Sequence, residues 1–125
     1  MTRKSGDAAL MSQSKWSLRE LNDGPLLPDT DITAQFAADG TMAGSAGCNR
    51  YRSVYRVADE SLTMGLPATT RMSGAPSVMQ QEAEFLSTLR AVRSFRLVAK
   101  RLEMKAADGR TILVFAGAET APAAG

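Results

Sequence analysis

Short segments in which apolar and polar residues alternate recur along this chain, and they constrain its fold more than any other feature. Residues 32–38 are the clearest case, because Ile32, Ala34 and Phe36 fall on one face and polar side chains lie between them. This periodicity is typical of a strand with one buried face. The other segments that share it are residues 15–21, 41–44, 51–57, 62–66, 95–99, 102–106 and 111–115. The pattern predicts a mainly β protein.

Turn residues separate these segments. Asp39-Gly40 and Asp108-Gly109 each predict a hairpin turn, because glycine adopts the positive φ that such turns require. Residues 22–29 contain two prolines and a glycine and predict a loop. The connections between neighbouring strands are short, which favours antiparallel pairing. A sheet of about seven or eight strands tends to curl.

One amphipathic helix is predicted over about residues 77–93. Ser77 followed by Gln80 matches a capping box at its start. Apolar side chains then recur at mostly helical spacing, with Glu82 as the one polar interruption. We therefore expect an α+β fold, mainly β, in which an antiparallel curled or barrel-like sheet is covered by this helix.

The chain length fits a single domain, which we place at residues 15–116. Residues 1–14 start with basic side chains but lack the apolar run of a signal peptide, and we expect a flexible segment there. Residues 117–125 are rich in alanine and proline and predict a flexible tail. No apolar run has the length of a transmembrane helix.

Composition narrows the classes of activity. The chain has no histidine and one cysteine, so a Ser-His-Asp or Cys-His site, an internal disulfide and a zinc-binding cysteine cluster are excluded. Enzymes that use carboxylates or lysine remain open. The net charge of +2 is mild and does not require a polyanionic partner. We expect no catalytic residues, no cofactor, no metal and no nucleic-acid partner.

The most unusual stretch is residues 40–51, which contains three glycines and Cys48. It matches neither a P-loop nor a dinucleotide-binding loop, and no helix follows it. Glycines inside β segments mark bulges or close backbone contacts. Cys48 has two interpretations: a nucleophile, or a small residue at a tight bend. The second is favoured, because no histidine is present to accept the thiol proton.

Two further features have competing interpretations. Arg52 and Arg56 lie on one strand face, but Tyr51 and Tyr55 alternate onto the other, which disfavours a base-stacking platform for RNA. The seven methionines fit either ordinary core packing or an adaptable pocket for a small apolar ligand.

Several motifs in chain order resemble one known family. W-x-L begins at Trp16, G-x-x-G-C-N-R-Y ends at Tyr51, and L-x-M-G-x-x-A-T-T-R-M ends at Met72. E-x-x-F-L-x-x-L and F-R-L-x-x-x-x-L-x-M follow. Together they are similar to the META domain, the family of heat-shock HslJ-like bacterial proteins, over residues 15–115. The motif residues, to which we assign a structural role, are Trp16, Gly44, Gly47, Cys48, Asn49, Arg50, Tyr51, Thr69, Thr70 and Met72.

The resemblance implies a barrel-like sheet with one helix and no established enzymatic activity. It implies a periplasmic or envelope setting, often as a lipoprotein, and an association with stress response. The fold's similarity to lipid-binding pilotins adds an apolar cavity by analogy. We expect the glycines to form a tight corner and Asn49 to bond nearby backbone groups. Gly74 departs from the family pattern, which commonly has a second cysteine there.

The expected function is therefore a non-enzymatic domain that binds a protein partner or a small apolar ligand, as a monomer. Two alternatives stay open. The domain could be an interaction module of a larger chain, or a thiol-dependent enzyme that uses Cys48. A cytoplasmic location also stays open, because the envelope setting rests on the family resemblance.

Overall fold

A computed structural model describes residues 10–11 and 15–117 of the chain. One helix, α1 (Pro76–Ala91), lies between two groups of strands along the chain. The strands are β1 (Trp16–Leu21), β2 (Gly24–Pro25), β3 (Thr33–Phe36), β4 (Thr41–Ser45), β5 (Arg50–Ala58), β6 (Ser61–Met64), β7 (Ala68–Thr69), β8 (Ser94–Val98), β9 (Arg101–Lys105) and β10 (Thr111–Gly117).

The strands form a closed ring, with neighbours in the order β1, β3, β4, β5, β6, β8, β9 and β10. Every pairing is antiparallel, and β10 returns to pair with β1, so that Trp16 lies opposite Gly117. The short strands β2 and β7 add to the outside of this path by pairing with β1 and β5. Within the described residues, the predicted α+β fold, mainly β with a curled antiparallel sheet and one helix packed against it, is confirmed.

The inside of the ring is filled by the apolar face of each strand. On β5 the buried and exposed residues alternate, and Tyr51, Ser53 and Tyr55 point inward. Phe85 of α1 meets the Tyr51 ring edge-to-face, with the ring centroids 5.4 Å apart. The largest fully buried side chains are Trp16, Phe85, Phe115, Leu10, Ile32, Met42, Leu62, Leu89, Leu102, Met104, Leu113 and Val92. Full burial of a side chain of this size contributes roughly 1.5–3 kcal/mol.

The helix lies over the end of the ring where β1 ends. Asn22, directly after β1, donates from Nδ2 to Glu84 Oε2 at 2.8 Å and to Thr88 Oγ1 at 3.0 Å. In the following loop the Leu27 N–H donates to Gln81 Oε1 at 2.8 Å. These contacts connect one side of α1 to the loop between β1 and β3. Within the described residues, no helix has the length and apolarity needed to cross a membrane.

The helix agrees with the predicted range of about 77–93 to within two residues, but its start is not formed by the predicted capping box. The helix begins at Pro76, and Ala75 occupies the N-cap position without a side-chain hydrogen bond. Proline favours the first helical position, and this places Ser77 second in the helix, where its side chain cannot act as the N-cap of a capping box. The helix ends at Ala91, two residues before the predicted end, and Val92 is extended.

Three predictions at strand ends also need correction. Leu66 was predicted to continue the alternating strand of residues 62–66 but is 75% exposed, because the strand ends at Met64. Ala99 belongs to a turn with a positive φ rather than to β8. Gly117 was assigned to the tail but lies in β10. The prediction of a flexible start over residues 1–14 lies outside the described residues except at positions 10–11, where Leu10 is buried; residues 118–125 also lie outside.

Candidate functional site

The glycine-rich stretch forms the corner between β4 and β5. Gly44 packs directly against β3, and a β-carbon at this position would overlap the Thr33 carbonyl oxygen. Gly47 has a φ of +120°, a conformation that residues with a β-carbon rarely adopt. The corner is closed by the Ala46 N–H, which donates to the Asn49 carbonyl oxygen at 2.7 Å. The glycines are therefore required by the backbone geometry of the corner.

Asn49 is buried at this corner, and its side-chain amide uses all of its hydrogen-bonding capacity. Nδ2 donates to Glu82 Oε2 at 2.7 Å and to the Met72 carbonyl at 3.1 Å. Oδ1 accepts the Met72 N–H at 2.6 Å and the Thr70 hydroxyl at 2.8 Å. The Asn49 side chain does bond backbone groups, as expected, but the expectation that they are local was wrong, since Met72 lies 23 residues along the chain.

Glu82 completes the arrangement from α1. Its carboxylate is buried, and Oε1 accepts the backbone N–H groups of Cys48 at 3.0 Å and of Asn49 at 2.8 Å. A buried carboxylate is stable only when its oxygens are hydrogen-bonded, and here they have three donors. We call Asn49, Thr70, Met72 and Glu82 the Asn49–Glu82 cluster. The sequence did not predict the role of Glu82. Its position on the apolar face of the helix was the one indication that its carboxylate would be buried and bonded.

The two halves of the family pattern meet at the start of β5. The Thr70 N–H donates to the Arg50 carbonyl, and the Arg50 N–H donates to the Thr70 hydroxyl, both at 3.1 Å. Thr69 lies opposite Tyr51 in the pairing of β7 with β5. The second motif is therefore held against the first by backbone and side-chain bonds together.

Two aromatic motif residues have their polar atoms bound inside the fold. The Tyr51 hydroxyl donates to the Thr33 carbonyl at 2.7 Å, and burial raises the pKa of this phenol well above its usual range. The Trp16 indole N–H donates to the Leu10 carbonyl at 2.8 Å. This phenol stays neutral at neutral pH, and its hydrogen bond joins β5 to the backbone of β3.

Cys48 is half-buried beside the cluster, with Sγ 3.8 Å from the Met72 carbonyl oxygen. Gly74, the position at which the resemblance led us to expect a second cysteine, lies directly against it. A β-carbon on Gly74 would lie 3.1 Å from Cys48 Sγ and 3.4 Å from Cys48 Cβ. In residues 10–11 and 15–117, no group of three cysteine or carboxylate side chains is arranged to hold a metal ion.

The outer side of β5 is exposed and basic, in contrast to the buried corner. Arg50, Arg52, Val54 and Arg56 are exposed in sequence alternation, and Val54 is 56% exposed. The tyrosines of the same strand are buried on the opposite side, so this face has no aromatic ring on which a base could stack. We call the outward side chains of β5 the β5 face.

Shallow pockets flank this face at both ends. One has a volume of about 370 Å³ and is lined by Ala43, Arg50, Tyr51, Arg52, Ala68, Thr69 and Thr70. Another has a volume of about 440 Å³ and is lined by Arg56, Val57, Ala58, Ser61 and Thr63. A third pocket of about 380 Å³ lies between α1 and the loop after β1. The first two combine small side chains with arginine.

Comparison with known proteins matches this arrangement to one family. The sequence profile of the META domain matches residues 8–119, a range that includes the corner, α1 and all of the strands described above. No curated protein matches the chain.

Solved structures share the fold at low sequence identity. An NMR structure of a protein from Burkholderia xenovorans is 23% identical, covers 96% of this chain and 94% of its own, and has a TM-score of 0.69. Another NMR structure is 22% identical, covers 94% and 97%, and has the same TM-score of 0.69. A crystal structure of a DUF4847 family protein from Bacteroides vulgatus is 15% identical, covers 93% and 100%, and has a TM-score of 0.66.

Proposed function

This chain belongs to the META domain family, and we propose that it is a binding domain without catalytic activity that acts by contacting a protein partner. The observation that carries this proposal is that the polar side chains of the motif are hydrogen-bonded within the fold. The side-chain oxygens and nitrogens of Asn49 and Glu82 are bonded to one another, to Thr70 and to the backbone. Groups engaged in this way hold a structure together and are not available to a substrate.

A protein partner is favoured over a small apolar ligand held inside the ring. The interior is occupied by large side chains such as Trp16, Phe85 and Phe115, each of which is fully buried. The pockets beside β5 open to the surface between exposed arginines and small residues. Both observations favour binding of a partner on the outer surface of the sheet.

We further propose that the domain works in the bacterial envelope during stress, as its family resemblance suggests. Fractionation of the native host with an antibody to the chain tests the location. Recovery in the periplasmic or membrane fraction supports the proposal, and recovery in the cytoplasm alone contradicts it. Transcript levels after heat shock test the association with stress.

The binding function is tested by cross-linking in the native host, followed by purification. A captured protein must then form a complex of fixed stoichiometry with the purified domain. Native mass spectrometry of the same preparation distinguishes the alternative, because a bound lipid or other small molecule adds its own mass to the chain. Absence of both a partner and a bound molecule would contradict a binding function.

The alternative of a thiol-dependent enzyme makes a separate prediction. In a strain that lacks the gene, Cys48→Ser should restore any mutant phenotype as fully as the wild-type gene. Failure of this variant, with normal expression and melting temperature, would favour thiol chemistry. The alternative of an interaction module in a larger chain is decided by the length of the native gene product.

A further inference from the structure

We propose that the β5 face binds an extended, acidic segment of a partner protein. This inference rests on the proposed binding function and assigns it a surface and a partner chemistry. The observation behind it is a row of three exposed arginines on one strand, Arg50, Arg52 and Arg56, with an exposed valine between the last two.

The spacing of these arginines matches an extended peptide. Alternate residues of a strand are about 6.6–6.8 Å apart and point the same way. The positions of Arg50, Arg52 and Arg56 differ by even numbers, so their side chains leave the same face of β5 at multiples of this repeat. A peptide lying along the strand presents its alternate side chains at the same interval. Carboxylates at those positions therefore meet the arginines in register.

The arginines are available to a partner. Within the described ranges, their guanidinium groups take part in no hydrogen bond or ion pair. Arg52 does act through space on Asp39, whose carboxylate is hydrogen-bonded to Thr41. A guanidinium group can bond both oxygens of a carboxylate at once, and such charge-assisted pairs are the stronger hydrogen bonds in proteins.

The residues around the three arginines favour binding of a peptide chain over binding of a flat partner surface. Ala43 and Ala68 are small, and they leave the shallow pocket of about 370 Å³ beside Arg50 and Arg52. Val54, 56% exposed, lies between Arg52 and Arg56 and is placed to contact the methylene groups of a glutamate side chain of the peptide. An apolar centre with charged surroundings is the usual arrangement of a protein–protein contact.

RNA and an anionic membrane are the competing partners. Single-stranded RNA binding relies on aromatic stacking, and Tyr51 and Tyr55 are buried on the inner side of β5. Binding to an anionic membrane depends on many basic side chains spread over a surface. The three arginines here instead lie on one line along a strand.

The test is an NMR titration of the labelled protein with a ten-residue peptide that alternates glutamate and valine. The matched control peptide replaces each glutamate with glutamine. We expect the acidic peptide to shift amide signals of β4, β5 and β7 and to bind at least about tenfold more tightly than the control, because its carboxylates add charge-assisted bonds. Absence of binding at millimolar peptide would overturn the proposal.

Variants separate a specific site from general charge attraction. Arg52→Gln with Arg56→Gln removes two charges from the β5 face and should weaken binding of the acidic peptide at least about tenfold. Arg90→Gln with Arg110→Gln removes two exposed charges elsewhere and should leave binding within about twofold. Equal losses in both variants would show diffuse attraction and overturn the site.

The competing partners are tested in the same buffer. Tighter binding to phosphatidylglycerol vesicles or to polyuridine, lost in the same β5 variant, would overturn the peptide proposal in favour of that partner. The cross-linked partner from the host distinguishes failure of the β5 site from failure of the binding function. If its complex forms equally well with the β5 variant, the β5 assignment fails while the binding function stands.

Discussion

The carboxylate of Glu82 in the helix accepts hydrogen bonds from both the backbone N–H and the side-chain amide of Asn49, at 2.8 and 2.7 Å. This pair joins α1 to the corner between β4 and β5. Asn49 in turn holds the backbone of Met72 through both its oxygen and its nitrogen. One buried pair therefore fixes three separate segments of the chain relative to one another.

Replacing Glu82 with glutamine should destabilise the protein although the side chain keeps its shape. The glutamine amide has one acceptor oxygen, so its NH₂ group must face a donor, either a backbone N–H of the corner or Asn49 Nδ2. We expect a loss of about 2 kcal/mol in the free energy of unfolding, measured by urea denaturation.

Glu84→Gln is the matched control for this change. Glu84 lies on the same helix but is exposed, and its oxygen accepts one bond from Asn22 that glutamine can also accept. Its effect should stay within about 0.5 kcal/mol. Equal stability of the two variants would show that the buried carboxylate does not hold the corner.

Asn49→Ala should lower stability further, by about 3 kcal/mol, and should reduce the melting temperature accordingly. The change removes the partner of Glu82 Oε2 and leaves the Met72 N–H without its acceptor. The double variant with Glu82→Gln should lose less than the sum of the single changes, because the two residues act on one network. An unchanged melting temperature for Asn49→Ala would remove the structural account of this motif.

Gly44→Ala should prevent the close contact of β4 with β3. The added β-carbon would overlap the backbone carbonyl of Thr33, which cannot move without shifting the strand. We expect a loss of about 3 kcal/mol or more, seen as low soluble yield or a large fall in melting temperature. Gly24→Ala is the control, since a β-carbon there meets its nearest atom at 3.8 Å. Similar stabilities for the two variants would contradict the close contact.

The turn between β3 and β4 gives a pH-dependent prediction. Hydrogen bonds from the Thr41 side chain and backbone lower the pKa of Asp39 below its ordinary value of 3.8. The carboxylate therefore contributes stability above the ordinary pKa, and this contribution is lost as the pH falls through the lowered value. The melting temperature of the wild type should exceed that of Asp39→Asn at pH 6, and the gap should narrow below about pH 4.

Asp31→Asn corrects this measurement for the general effect of removing one negative charge from an exposed position. After this correction, a gap that is constant from pH 6 to pH 3 would contradict a folded-state role for the Asp39–Thr41 bonds.

The strands could be predicted because their signals are local. On β5, Tyr51, Ser53 and Tyr55 alternate with Arg52, Val54 and Arg56, and the tyrosines on one side and the arginines on the other indicate which side is buried. No local sequence pattern predicts the closure of the ring. The pairing of Trp16 with Gly117 joins the two ends of the domain, and no short stretch of sequence encodes it.

The network at the corner was only partly predictable for the same reason. The motif around Asn49 was visible, but its partner Glu82 lies 33 residues along the chain. In the helix pattern Glu82 therefore looked like an interruption of the apolar stripe. The sequence contains two signals for the start of the helix, Pro76 and the Ser77 capping box. The helix begins at Pro76, so the Ser77 cap is absent.

Gly74→Cys should create a disulfide with Cys48. A β-carbon at position 74 lies 3.4 Å from Cys48 Cβ, just short of the 3.5–4.5 Å range of disulfides, so a small shift of the loop is enough. Under mild oxidation the intact mass should fall by two hydrogens, and the bond should stabilise the protein by about 3 kcal/mol. Addition of a reductant should reverse both changes. The control is Gly74→Cys combined with Cys48→Ser, which should show neither change, and a free thiol at both positions after oxidation would contradict the placement of Gly74 against Cys48.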